Sequence, residues 1–460
     1  MLIRSVGDDE HPAMTFSRRS SGVYWLHLPV AMILAIYLPA ALLGLFVFGD
    51  SPAYTIVALL GVFVLSYYLA CLLAVRTMDF RDGARAYAAF RWNVRWRTLA
   101  WGAAFIYLAT IVVTCLTAPS VPLFTAVTGG TKFEIAQSRA GFLVNRVGDE
   151  ALLRYVAVIF GRSILPLLVT YLYFTRDRFR HVALIVLLVA YLLALEKASP
   201  IFAFLPLIVM RAVEHDRRAT LALATSLIAC VGLWTYLAIG SVEVAPQPQS
   251  PSTTEIPQNP RASMVAPAGM GRQGDPLRHE LLNFVLPDAA YAAIRQTRAA
   301  FELSWILNRI VWIPYVTAYD WLRVHEEILK GKLHYGRTIG IVSWLMGKPK
   351  LNLERIVYEY QFGSSPYGVG GANTIFFVDA KLAFGWAGVV LYCVVFGLCA
   401  AVIYSSQNLV VKVASITSIF TASVSSLTAT LLSGGLVFYV VLALLLRDRT
   451  DAPKRLDTRQ

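Results

Sequence analysis

Charge is scarce in this chain. Acidic and basic residues together fill 15% of 460 positions, whereas 57% are hydrophobic and the mean hydropathy is +0.59. A water-soluble domain of this length needs far more polar surface, so lipid is the expected solvent for most of it. Cysteine is also rare. Cys71, Cys115, Cys230, Cys393 and Cys399 all lie inside apolar runs, and none forms a CxxC. That excludes a disulfide framework and a cysteine-based metal site. The chain has no HExxH, no GxSxG and no phosphate-binding P-loop. The glycine-rich run from Gly368 to Asn373 fails the dinucleotide pattern and follows no strand–helix unit, so its glycines read as a tight loop. No metal and no cofactor are expected. Nor is a cleavable leader expected: the first apolar run begins near residue 23, is long enough to span, and reads as a signal anchor.

What the chain does have is long apolar runs, near 23–48, 53–75, 98–118, 152–175, 181–195, 199–212, 219–240, 373–404, 410–428 and 431–447. About 20 such residues cross a hydrocarbon core, so the expectation is an all-α polytopic membrane protein with about ten transmembrane helices. The formal charge of +13 belongs to the connections between them. Arg4, Arg18 and Arg19 precede the first run, and Arg76, Arg81, Arg85, Arg91, Arg95 and Arg97 follow the second. Arg176, Arg178 and Arg180, then Arg211, Arg217 and Arg218, and finally the basic tail after Arg447 fall on the same side if there are ten crossings. The positive-inside rule then makes both termini cytoplasmic, and a nucleic-acid-binding role is excluded.

Three regions follow from this layout. Residues 1–240 form an N-terminal membrane bundle of about seven spans, 241–372 a large outer loop, and 373–460 a C-terminal bundle of about three spans with a basic tail. Within the loop, 241–276 holds seven prolines between Val244 and Pro276 and is expected to be disordered. Residues 277–372 are expected to be mostly helical. Pro287 to Leu303 and Trp305 to Leu329 read as helices at the membrane surface, with Leu303 to Leu322 a candidate re-entrant segment. The loop carries thirteen basic and eleven acidic residues and is close to neutral.

Charges at membrane depth are costly and usually functional or paired. Arg162 lies about ten residues into the fourth run, Asp379 and Lys381 stand early in the eighth, and Glu196 and Lys197 form the turn between two short runs. Those two runs are about 21 Å long against a core of about 30 Å, so their turn is expected to dip below the outer surface. A bland reading has Arg162 paired with Asp379 as a brace, the Glu196–Lys197 turn as an ordinary hairpin over thinned lipid, and Arg309 snorkelling from a surface helix. The sharper reading has Arg162, Lys197, Lys381 and Arg309 facing one basic cavity suited to an anionic head group such as a lipid pyrophosphate, with Arg139 and Arg337 as further candidates. Asp379 and Glu196 are assigned structural or pairing roles. Asp379 and Lys381, two residues apart, point to different sides of their helix. A general base on the outer side has to come from His279, His325, His334, Glu302, Glu326, Glu327 or Asp50. His334, beside Tyr335, Gly336 and Arg337, is the most site-like histidine, and Glu327 is the carboxylate alternative.

Three stretches carry a resemblance. They are Phe133 to Arg139 with Arg154-Tyr155, the hairpin turn Leu195-Glu-Lys-Ala-Ser-Pro200, and Tyr335-Gly-Arg-Thr-Ile339 with Gly371-Ala-Asn-Thr374 and Phe384-Gly-Trp-Ala-Gly388. In pattern and topology, over about two thirds of the chain, they resemble the bacterial O-antigen and exopolysaccharide repeat-unit polymerases of Wzy type. One departure is that the hairpin turn in that family often carries arginine where this chain has Lys197, which loses bidentate phosphate geometry. The resemblance implies a metal-independent glycosyltransferase of the bacterial cytoplasmic (inner) membrane. It would join undecaprenyl-pyrophosphate-linked oligosaccharide repeat units at the periplasmic face, and a chain-length-regulating co-polymerase is an implied partner. On that reading Arg162, Lys197 and Arg309 hold pyrophosphate while His334 or a loop carboxylate takes a proton.

The alternatives are an O-antigen ligase, another polyprenyl-dependent membrane glycosyltransferase, a flippase or exporter of lipid-linked oligosaccharide, and a structural scaffold. A flippase is expected to show repeated halves, and this chain has no visible repeat.

Overall fold

The computed structural model describes residues 21–76, 96–144, 146, 148–196, 198–239, 311–362, 371–406 and 408–445. Among these residues every regular element is helical and there is no strand. The proline-rich stretch 241–276, the segment Pro287 to Leu303, Lys197, Arg309 and both basic tails lie outside the described residues.

The chain begins with a hairpin of α1 (Ser21–Val47) and α2 (Ser51–Arg76), followed by α3 (Trp96–Thr117) and two short helices, α4 (Pro122–Val127) and α5 (Lys132–Arg139). Next come α6 (Ala151–Phe174), α7 (Arg180–Ala194), α8 (Ser199–Val213) and α9 (Arg217–Ile239). Three helices of the long connection, α10 (Ile313–Glu327), α11 (Gly340–Leu345) and α12 (Leu353–Phe362), precede α13 (Phe376–Ser405), α14 (Leu409–Ser423) and α15 (Leu427–Leu445). Seven of these (α1, α2, α3, α6, α9, α13 and α15) are long and apolar enough to cross a membrane, the pattern of a multi-pass membrane protein. The other three apolar runs form helices where expected but fall short. α7 and α8 have 15 residues each, about 22 Å of helix against a core of about 30 Å.

The tightest interface joins α2 to α13. A Cβ on Gly397 would meet Ala70 Cβ at 2.8 Å and Tyr67 O at 3.0 Å, so two backbones approach here as only small residues permit. Around that contact Phe63, Phe376, Phe377 and Phe396 pack ring against ring at 5.0 to 6.3 Å. Lipid gives apolar helices no hydrophobic reason to associate, so such packing, about 0.5–1.5 kcal/mol per aromatic pair, is what fixes the bundle.

The eighth apolar run was expected to be one continuous span, and the structure corrects this. Gly385 sits at φ 68° and ψ −155° inside α13, and the chain reverses there. The rings of Phe376 and Phe396 are 5.0 Å apart, whereas twenty residues of straight helix would separate them by about 30 Å. Phe384 and Tyr392 likewise meet at 6.2 Å. Residues 376–384 therefore climb antiparallel to 386–405, and 386–405 alone, at about 30 Å, is long enough to span. A segment that folds back along a span is thus present at 376–384, apart from the stretch expected to be re-entrant. Part of the expected candidate, Leu303 to Leu322, falls outside the described residues. The remainder opens α10, which caps the α1–α2 turn. There Tyr319 Oη donates to Asp50 Oδ2, and Phe48 stacks on Tyr319 at 4.4 Å.

Candidate functional site

Arg162 is carried by an irregularity in its helix. Residues Phe160–Ile164 of α6 form a π-turn, whose i→i+5 bonding frees backbone positions and often marks a functional site. Two tyrosine hydroxyls fasten this turn: Tyr191 of α7 donates to Gly161 O, and Tyr439 of α15 donates to Ser163 O at 2.9 Å. The break between the two halves of α15 makes room for it, because a Cβ on Gly435 would fall 2.1 Å from Ser163 Oγ. Arg162 then points at the tip of the α7–α8 hairpin. Its Nη2 lies 3.3 Å from Glu196 Oε2, and its guanidinium stands 5.5 Å from the centre of the Phe202 ring. Ser199 Oγ donates to the same carboxylate oxygen at 2.9 Å. Measured along the helices, Arg162 is about 18 Å from the end of α6 at Phe174, and the hairpin tip is about 22 Å above the start of α7. The difference is less than the length of an arginine side chain, so the short hairpin ends where the half-buried guanidinium is. The pairing of Arg162 with Asp379 is corrected: its partner is Glu196.

Arg139, at the end of α5, is the second guanidinium of this cluster. It is close enough to Glu196 for each to act electrostatically on the other, and its buried Nε makes no hydrogen bond. Arg162 and Glu196 each keep about a third of their side-chain surface open, so the pair faces a space and not solid packing. Eight residues before Arg162, about 12 Å up the same helix, Arg154 acts on Glu354 of α12. Burial pushes the Glu354 carboxyl above the usual carboxylate range, opposed by Lys350 and Arg154.

A second cluster surrounds His334. The reversal at Gly385 leaves Leu382 O and Ala383 O without helical partners, and the loop before α11 supplies them: His334 N donates to Leu382 O at 3.2 Å and Tyr335 N to Ala383 O at 3.0 Å. This strap turns the His334 ring inward against Asp379, with Nε2 3.9 Å from Oδ1. Both residues are buried, at 4% exposure each, and neither ring nitrogen of His334 makes a hydrogen bond. Burial, then His325 and Arg337, lowers the His334 pKa to about 4, so the imidazole is neutral at pH 7. Burial and Lys381 also lower His325, against the pull of Glu326. The amide of Asn373 is placed to donate to Glu354, which is in turn near enough to act on Asp379.

Most of the other candidates are engaged elsewhere. Glu327 accepts from Arg323 Nε at 2.9 Å and from Tyr360 Oη at 2.8 Å, an exposed network. Glu326 accepts from Ser51 at 3.3 Å. Lys381 lies 4.4 Å from the centre of the Trp386 ring, on the other side of its helix from buried Asp379. Arg337 donates Nη2 to Pro349 O at 3.1 Å. Lys197 and Arg309 lie outside the described residues. One important arginine was not singled out from the sequence. Arg146, with 3% of its side chain exposed, donates to Phe142 O, Thr117 Oγ1, Thr114 O and Glu150 and so clamps the 118–150 connection to the end of α3. The sequence marks it only weakly, through Glu150 four residues on, because two of its four partners are carbonyls that any sequence has.

Fold and site together define a polytopic helical membrane protein with charged groups gathered in its interior at two linked places. In comparison with protein-family models, with curated proteins and with solved structures, the chain matches none.

Proposed function

We propose that this protein joins lipid-linked oligosaccharide units, transferring a glycan from a polyprenyl pyrophosphate onto the sugar of another carrier-bound unit on the side of the membrane that holds the α1–α2 turn. The observation that carries this reading is the convergence of Arg139 and Arg162 on the single carboxylate of Glu196 at membrane depth, with a guanidinium nitrogen unpaired. Two cations held by one anion leave a positive surplus, and a pyrophosphate leaving group provides the matching charge. The glycosyl–phosphate bond breaks as the acceptor hydroxyl attacks the anomeric carbon. The departing pyrophosphate keeps the bonding electrons, and its charge meets the guanidiniums. A neutral buried histidine such as His334 accepts the hydroxyl proton, and the Asp379 carboxylate beside it stabilises the imidazolium that forms. Arg154 and Glu354 lie between the two clusters along α6 and α12.

The test is deletion of the gene in its host, with lipid-linked and surface glycans resolved by size. Loss of long chains with a single capped unit accumulating supports polymerisation, and the R139A, R162A and H334A variants should then reproduce the deletion. Long chains retained on the carrier assign the protein to ligation. Absence of even the single unit outside refutes the reading and favours a flippase or an earlier transferase.

A further inference from the structure

The short helix α11 presents its apolar residues outward. Ile341, Trp344 and Leu345 are 72%, 79% and 71% exposed, while Ser343 is buried and donates Oγ to Arg337 O at 2.7 Å. One side of the helix is pinned to the protein and the other has no protein contact to bury it among the described residues.

The depth of this face is fixed by backbone bonds. The strap formed by His334 and Tyr335 ties the chain just before α11 to Leu382 O and Ala383 O, within one turn of the reversal at Gly385. α11 therefore sits level with the start of segment 386–405, where that segment enters the membrane. Its neighbours at this height, Phe384 and Trp386, are also partly exposed, and the exposed band continues down the span through Leu391. The face of α11 thus extends a surface that already meets lipid. Its flank is basic: residues 340–350 contain Lys348 and Lys350, both exposed, and no acidic residue. Tryptophan at the water–hydrocarbon boundary with lysines on the polar side is the pattern of an interfacial helix, and it matches phosphate head groups in charge.

We infer that α11 seats Ile341, Trp344 and Leu345 in the leaflet on the side of the α1–α2 turn, with Lys348 and Lys350 directed to lipid phosphates, so that the outer loop is anchored to the bilayer beside the His334 cluster. This goes beyond the reading of the site as a glycan-transfer centre and does not depend on it.

The experiment compares tryptophan fluorescence of the full-length protein and W344F in nanodiscs of phosphatidylcholine and phosphatidylglycerol, with plain or brominated acyl chains. The difference between the two proteins isolates Trp344 from the other tryptophans. Seated in lipid, it emits toward the blue, is quenched at least twofold by brominated chains and is little affected by acrylamide. Red-shifted emission that acrylamide quenches would show a face open to water and overturn the inference. Blue emission that neither agent quenches would show a face covered by protein, such as a second copy of the chain, and would also overturn it. Should W344F fold poorly, I341W read against the unaltered protein makes the same measurement one turn earlier on the same face.

Discussion

Replacing Gly385 with alanine tests the chain reversal on which the His334 cluster depends. At φ 68° and ψ −155° the residue occupies backbone space open to glycine and strained for an L-residue by about 1–3 kcal/mol. Crowding adds little, because the nearest neighbour of an added Cβ is Leu333 Cδ1 at 4.0 Å. The expected cost is therefore backbone strain alone, roughly a 5- to 150-fold shift in a conformational equilibrium at about 1.4 kcal/mol per factor of ten. The chain escapes that cost by straightening, which would carry Phe376 from ring contact with Phe396 to about 30 Å away. Thermal unfolding of purified G385A in detergent is the assay. G340A serves as control, since Gly340 has no positive φ and open space around it and should change stability by less than about 0.5 kcal/mol. A second readout is disulfide formation between cysteines placed at Phe376 and Phe396 in a background without native cysteines. If G385A unfolds like G340A and the pair fails to cross-link in the otherwise unaltered protein, the reversal is refuted, and the approach of His334 to Asp379 falls with it.

Three further outcomes are expected. The His334 pKa is lowered from 6.5 to about 4 by folding, so the unfolded chain binds the proton more readily. Its contribution is complete above pH 6.5 and is lost as pH falls toward 4, by at most roughly 3 kcal/mol. H334F should flatten the fall in unfolding temperature across that window, and an unchanged slope would contradict the burial argument. Removing the Arg146 clamp as R146M should cost about 1–3 kcal/mol, because it strands Phe142 O in buried surroundings, whereas Thr114 O keeps the Ala118 N–H; a loss under 1 kcal/mol by thermal or SDS unfolding would mean water reaches Phe142 O. A double-mutant cycle on R162M and E196Q should give a coupling of about 1–2 kcal/mol, between the values typical of exposed and buried pairs, since each side chain is about one-third open. Zero coupling, or coupling of Arg162 to Asp379, would contradict the observed pairing.

The sequence by itself determined where the helices are. All ten apolar runs are helical within a few residues of their expected limits, the eighth as two helices joined at Gly385, because in lipid a helix satisfies nearly all its backbone N–H and C=O groups within its own segment. It also marked Arg162, Glu196, Asp379 and Lys381 as charges expensive at depth, and the structure sets Arg162 beside Glu196, buries Asp379 and turns Lys381 to the Trp386 ring. Pairing was decided only by tertiary structure. Arg162 has Glu196 as its partner and not Asp379, because a π-turn held by Tyr191 and Tyr439 sets its direction and the length of a hairpin sets the height of its anion. Hydropathy also passed over the reversal at Gly385, since an apolar run reads alike whether it crosses the membrane or folds back on itself. One glycine's φ and two carbonyls that accept from a distant loop made that choice, and neither leaves a trace in composition.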